Sequence, residues 1–446
     1  MRRDSFGNPI TNASASAIAR FEQVATGLHA YREDPIAGLD AILADEPDFL
    51  LAHAVRAGII ATSTDAAFSG ELHASLAAAE ALAHHATARE HCYIAAARAW
   101  ADGDYARAVE AWGEAAILAP RDLLAVQLGQ LGDFLCGNTQ MLRDRVARVL
   151  PAWDAEMPNY GYLLGMHAFG LEECGDYARA EDAGRAALAF DPADGWAAHA
   201  VAHVMEMQGR HEDGEAWLAT TAKDWVKGGL FAYHNWWHLA LFRLERGDTA
   251  GALRLWDESI ASGGFGQAME LVDGTALLWR IATLGHDVGD RFARVAEGWR
   301  GRIGDAWYAF NDWHAMMAFV GAGDVMAQRA LLGGAERAAQ AGGTNGLMTR
   351  QVGLPLCRGV MAFGAGDYAA AVGHMLPVRG IAHRMGGSHA QRDAISWTLV
   401  EAAIRSGERP MAEALLAERT AAKPHSPVNL RWARRVAAMA PMALAA

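Results

Sequence analysis

The chain has 446 residues and carries a formal charge of −13, with an apolar fraction of 52%. That acidity argues against nucleic acid or an anionic membrane as its main partner. No stretch reaches the roughly 20 apolar residues of a membrane span, and abundant alanine with sparse proline favours helices over strands.

The opening MRRDSFGNPITN has no apolar run after its arginines, so it does not read as a secretory signal. Cys92, Cys136, Cys174 and Cys357 stand far apart, without a CxxC pair. They are expected to be reduced thiols in a cytoplasmic protein. Residues 1–90 show helical patterns at Ala15–Ala30, Pro35–Asp45, Phe49–Ala61 and Ser69–Ala83. They are taken as degenerate modules and a cap.

A repeat begins at Gly103. Gly103–Asp122 reads GDYARAVEAWGEAAILAPRD, and Gly175–Asp194 reads GDYARAEDAGRAALAFDPAD. Gly-Asp or a Gly-led variant recurs at 103, 175, 209, 247, 285, 323, 366 and 407, in steps of 72, 34, 38, 38, 38, 43 and 41 residues. The 34-residue step equals the tetratricopeptide period, and the first step hides a poorly matching module. Each module reads as helix A, a Gly turn that stops it, and helix B started by the next residue as N-cap. The array is assigned to 91–423. Gly333–Leu354 is Gly-rich and is expected to be a long loop. A basic helix over Asn429–Ala440 caps the end, within 424–446. The fold class is all-α, a tetratricopeptide-like α–α superhelix of about eight or more hairpins forming one continuous solenoid.

Helix A of such a module lines the concave face. Its inner stripe falls 13, 10, 6 and 3 residues before the turn Gly, from a rotation of roughly 100° per residue. His199, His203 and Glu206 lie 10, 6 and 3 before Gly209. In the next module His234 and Trp237 lie 13 and 10 before Gly247, and His238 lies 9 before it. Trp313 and His314 repeat the Asn-x-Trp-His unit 10 and 9 before Gly323. His167, Tyr162, Phe169, Glu172 and Trp279 lie on or near the same stripe. A lone helical His is usually a satisfied polar contact. Histidines from three modules on one stripe point instead to a shared pocket.

Three chemistries suit that pocket. A divalent metal is one: His-x-x-x-His puts two imidazoles on one helical face, and His199, His203, Glu206 and one of His234 or His238 make a ligand set. General acid–base catalysis by His199, His203, His238 and Glu206 is the second. There His234, His314 and His167 contact the ligand, and Trp237, Trp313, Tyr162, Phe169 and Trp279 form the wall. The third is a non-catalytic scaffold whose groove takes a peptide or partner protein. Apolar outer helix faces are also compatible with a homodimer.

The stretch Gly165-Met166-His167-Ala168-Phe169-Gly170-Leu171-Glu172-Glu173 before Gly175-Asp176-Tyr177 resembles the tetratricopeptide repeat protein thirty-eight family. So do His199–Met207 and His234-Asn235-Trp236-Trp237-His238, which follow in the same order. The resemblance is most specific over Arg89–Gly323. It implies an all-helical, intracellular, tetratricopeptide-like protein and carries over no activity. The expectation that follows is a small-molecule-binding protein, leaning towards an enzyme.

Overall fold

The computed structural model describes residues 1–227 and 229–439. Apart from a short antiparallel ribbon pairing Arg2–Arg3 with Pro9–Ile10, its regular structure is helical. Among the described residues no helix is long and apolar enough to cross a membrane.

Helices form where the Gly spacing placed them. All eight expected turn glycines have φ between 70° and 88°, a conformation that costs an L-residue far more than glycine. Seven of the eight turns close the preceding helix in one way. At Gly175 the glycine N–H donates to Glu172 O (2.8 Å) and the Asp176 N–H to Leu171 O (2.9 Å), satisfying carbonyls the helix end leaves open. The following Asp then starts helix B: the Asp104, Asp248, Asp324 and Asp367 carboxylates each accept from the backbone N–H three residues on. Asp176 occupies the same position but spends its carboxylate on Arg179. The hidden module turns at Gly137, φ 71°, between helices Leu123–Cys136 and Thr139–Val149.

The chain divides into two compact units. The first comprises Met1–Val201, Thr221–Ala232 and Gly342–Thr344. It contains the hairpins Ala88–Ala101/Tyr105–Leu118, Leu123–Cys136/Thr139–Val149 and Tyr160–Glu173/Tyr177–Phe190, after helices Ala15–His29, Pro35–Asp45, Leu50–Ala61 and Ser69–Ala81. Trp100 and Trp112 are fully buried in it. Close helix approach is written into Gly170: a Cβ there would lie 2.3 Å from Leu142 O and 2.6 Å from Arg143 Cα, both backbone. Gly170→Ala should therefore lower the unfolding free energy by about 1–3 kcal/mol. An unshifted urea midpoint would show that helix Thr139–Val149 retreats without cost.

The second unit comprises Ala202–Thr220, Tyr233–Ala341 and the described residues from Asn345 on. Its hairpins include Ala268–Thr283/Arg291–Arg300, Ala309–Gly321/Val325–Ala338, Leu354–Gly364/Tyr368–Met375 and His389–Arg405/Arg409–Ala422. Helix Pro427–Ala437 follows, with Ser426 as its N-cap. Ala440, the end expected for that helix, lies outside the described residues.

The expected loop Gly333–Leu354 is not a loop. Helix Val325–Ala338 runs through Gly333 and Gly334, helix Gly343–Met348 follows, and a π-helical turn Thr349–Gly353 leads into Leu354–Gly364. These glycines serve proximity. A Cβ at Gly346 would sit 2.3 Å from Ala341 O, and one at Gly353 3.0 Å from Ala309 Cβ.

Candidate metal centre

In the second unit, His203 comes from the end of helix Gly195–Met207 and His234 and His238 from helix Gly229–Glu245. The i, i+4 spacing puts His234 and His238 on one face. Their rings pack at 4.9 Å, and His203 lies 4.5 Å from His238. All three residues are at least 95% buried. Each offers a ring nitrogen within 4.8 Å of the others.

Two of the rings are held by carboxylates. His234 Nδ1 lies 2.6 Å from Asp273 Oδ2, and His238 Nδ1 lies 3.1 Å from Glu206 Oε2. A carboxylate at neutral pH only accepts, so Nδ1 carries a proton in both rings, which leaves Nε2 as the candidate ligand atom. Burial, aided by the neighbouring His203, holds His238 well below the usual imidazole range, so the ring is neutral. Trp237 stacks on His234 at 5.2 Å and 16° and meets His238 edge-on at 4.8 Å. The Arg280 guanidinium lies 5.5 Å from a Trp237 ring centroid.

Behind the rings lies a buried ion network. Lys423 Nζ reaches Glu206 Oε1 at 3.1 Å and Asp393 Oδ2 at 3.4 Å. Arg419 pairs with Asp393 and stands 3.7 Å from Glu245. Ser426 Oγ donates to Glu245 at 2.8 Å. Burial alone would raise Glu206, but Lys423 and His238 outweigh it and hold the carboxyl well below its usual range. For Lys423 burial works downward, and Asp393 and Glu206 more than reverse it. The space bordered by Glu206, His211, Asp393 and Lys423 measures about 10 Å³, room for one water at most.

His314, Trp313 and Trp279, also expected at the site, have partners of their own. His314 does not join it: Nδ1 donates to Phe310 O of its own helix at 2.8 Å, and the ring rests on Phe310 and Trp313 at 4.5 and 4.6 Å. Burial pushes His314 down to about 3. Trp313 is fully buried. Trp279 donates to Thr398 Oγ1 at 2.9 Å and packs on Phe363. Glu206, expected as a ligand, stands behind His238 as the acceptor of its proton.

His199, Tyr162, Phe169 and His167 belong to the first unit. The His199 ring lies 5.5 Å from Phe169, 5.3 Å from Trp196 and 5.1 Å from Phe231. Tyr162 donates to Asp191 Oδ2 at 2.8 Å. His167 is half-buried, and burial followed by Arg179 and Arg143 lowers its pKa.

Asp273, Lys423 and Asp393 were not anticipated. Asp273 had a readable signal, a carboxylate inside the apolar run LVDGTALLW of helix Ala268–Thr283. Lys423 follows the end of helix Arg409–Ala422, where basic residues are common and uninformative.

No family model matches the chain. Among solved structures, a monomeric IFIT1 mutant with Gppp-AAAA is similar at 13% identity and TM-score 0.37, covering 98% of each chain. Naa15/Naa10 bound to HypK-THB is similar at 12% identity and TM-score 0.25, over 94% of this chain and 66% of that one.

Proposed function

We propose that the protein is a tetratricopeptide-like helical-repeat protein whose second unit binds a divalent transition metal through His203, His234 and His238. The observation that carries this reading is the shared reach of three ring nitrogens, two of whose rings are backed by buried carboxylates. Metal-ligating histidines characteristically donate their other N–H to a carboxylate, which fixes the tautomer and raises ligand basicity. Asp273 adds a second argument. It is fully buried, and its Oδ1 has no hydrogen-bond partner among the described residues. Leaving a buried carboxylate oxygen without a hydrogen bond is costly, and a cation on the far nitrogen of His234 would add compensation. Around the centre, Glu206, Glu245, Asp273 and Asp393 face Arg280, Arg419 and Lys423. These four anions and three cations leave a negative excess.

Neutral imidazoles suit zinc, copper, nickel or ferrous ions rather than magnesium or calcium. Such an ion supplies Lewis acidity when bound. The chain's own groups fix its ligands: Asp273 and Glu206 hold the two rings, Trp237 packs against them, and Lys423 keeps Glu206 ionised. Unassisted acid–base chemistry fits less well, because His238 is neutral and the adjoining space admits little beyond water.

Elemental analysis of the full-length protein should find about one transition-metal ion per chain. Cobalt added after chelation should give ligand-field absorption. Glu206→Gln or Asp273→Asn should weaken metal affinity about 10–100-fold, and His238→Ala should abolish stoichiometric binding. A metal-free protein that shows neither cobalt absorption nor a higher melting temperature with cobalt would overturn the proposal.

A further inference from the structure

The first unit contains a cleft of about 700 Å³, within the range of small-ligand sites. It is bordered by the turn of the N-terminal ribbon, helix Ala15–His29, Arg89, the start of helix Leu123–Cys136, and Tyr162. We propose that this cleft binds a small protonated organic amine, held by Glu22 and Glu33 and packed on its aromatic lining. The site is independent of the metal centre.

Charge accounting within the lining selects a cation. Four carboxylates, Asp4, Glu22, Glu33 and Asp122, border the cleft against three arginines, of which two are paired with carboxylates and Arg121 bonds a neutral carbonyl. Arg89 Nη1 pairs with Asp122 at 2.7 Å, and Nη2 donates to Pro9 O at 3.2 Å. Arg32 pairs with Asp191, and Arg121 Nε donates to Ala152 O at 2.9 Å. The carboxylates are differently placed. Glu22 accepts the Ser5 N–H at 2.6 Å, and neither Glu22 nor Glu33 has an ion pair among the described residues. Asp4 is occupied by the N–H groups of Phe6 and Asn8, with its nearest cation, Arg89, at 4.0 Å. The lining therefore keeps uncompensated negative charge, and walls of one sign concentrate ligands of the other.

His29, which lines the cleft, also favours a donor. Gln127 Nε2 donates to Leu28 O at 3.4 Å, which turns its Oε1 toward His29 Nδ1 at 2.6 Å. An amide oxygen only accepts, so Nδ1–H donates and His29 Nε2 is left as an acceptor. Burial pushes His29 down to about 4, so at neutral pH the ring carries no charge to repel a cation. Phe6, Phe21 and Tyr162 also line the cleft, and aromatic faces attract ammonium groups.

Calorimetric titration of the full chain with spermidine and with putrescine tests this, with citrate as the anionic control. Saturable amine binding that falls as salt rises is expected. The Glu22→Gln/Glu33→Gln double variant should weaken it at least tenfold, and single Glu33→Gln, at an exposed position, guards against misfolding. His203→Ala should leave amine binding unchanged, which separates this site's failure from that of the metal centre. No saturable heat with either amine, tighter binding of citrate, or an unaffected double variant would overturn the proposal.

Discussion

Lys423→Met should lower the unfolding free energy by about 3–5 kcal/mol at neutral pH. The substitution keeps the aliphatic volume and removes only the ammonium, so the loss is electrostatic. Lys423 is 95% buried between two carboxylates, Glu206 at 3.1 Å and Asp393 at 3.4 Å. Asp393 retains Arg419, whereas Glu206 is left with the neutral His238. Adding Glu206→Gln removes the stranded charge, so the double variant should recover much of the loss. Urea unfolding of the four proteins in the cycle gives the coupling directly. A loss under about 1 kcal/mol for Lys423→Met would place the contact with solvent-exposed ion pairs.

His314 should add an acid-sensitive contribution to the stability of the protein. Its folded-state pKa is pushed down to about 3 by burial, against 6.5 for the free side chain. Below 6.5 the unfolded chain binds a proton that the folded chain refuses. The stabilisation is therefore complete above pH 6.5 and is lost as pH falls toward 3, at about 1.4 kcal/mol per pH unit. Between pH 7 and 5 this one ring accounts for about 2 kcal/mol. His29, pushed to about 4, adds to the same trend. Asp194 and Asp312, both raised to about 7 by burial, oppose it, because their folded forms hold protons that the unfolded chain releases as pH rises from about 4 to 7. His314→Phe isolates one contribution. The difference in its unfolding free energy between pH 7 and 5 should shift by about 2 kcal/mol relative to wild type. Equal pH dependence in the two proteins would show that the ring is protonated in the folded state.

The turns were the most legible part of this chain because their cause is local. A residue at positive φ closing a helix calls for glycine, and the next position calls for a side chain that accepts an N–H. Gly137 escaped, since Asn138 follows it where Asp follows Gly103, Gly175, Gly247, Gly323 and Gly366. Gly333–Leu354 misled for the opposite reason. Glycine reads locally as flexibility, but Gly346 and Gly353 are small because backbone and side chains of neighbouring turns press on them.

The site was half legible. Helical register put His203, His234 and His238 on or near the inner stripe, because i, i+4 spacing and offsets from the turn are arithmetic. Register is blind to what each ring bonds. His238 and His314 occupy equal positions in the Asn-x-Trp-His unit, yet one donates to Glu206 and the other to Phe310 O. The partners that separate them, Glu206, Asp273 and Lys423, lie as many as 217 positions away from one another along the chain. No periodicity encodes that distance.

That separation bears on biosynthesis. Glu206 and Glu245 leave the ribosome some 180 to 217 residues ahead of Ser426 and Lys423. Until Lys423 and Ser426 have emerged, nascent protein must hold those acids in water or lend them to chaperones, so the second unit completes its interior late, while hairpins of the first are free to consolidate as they emerge.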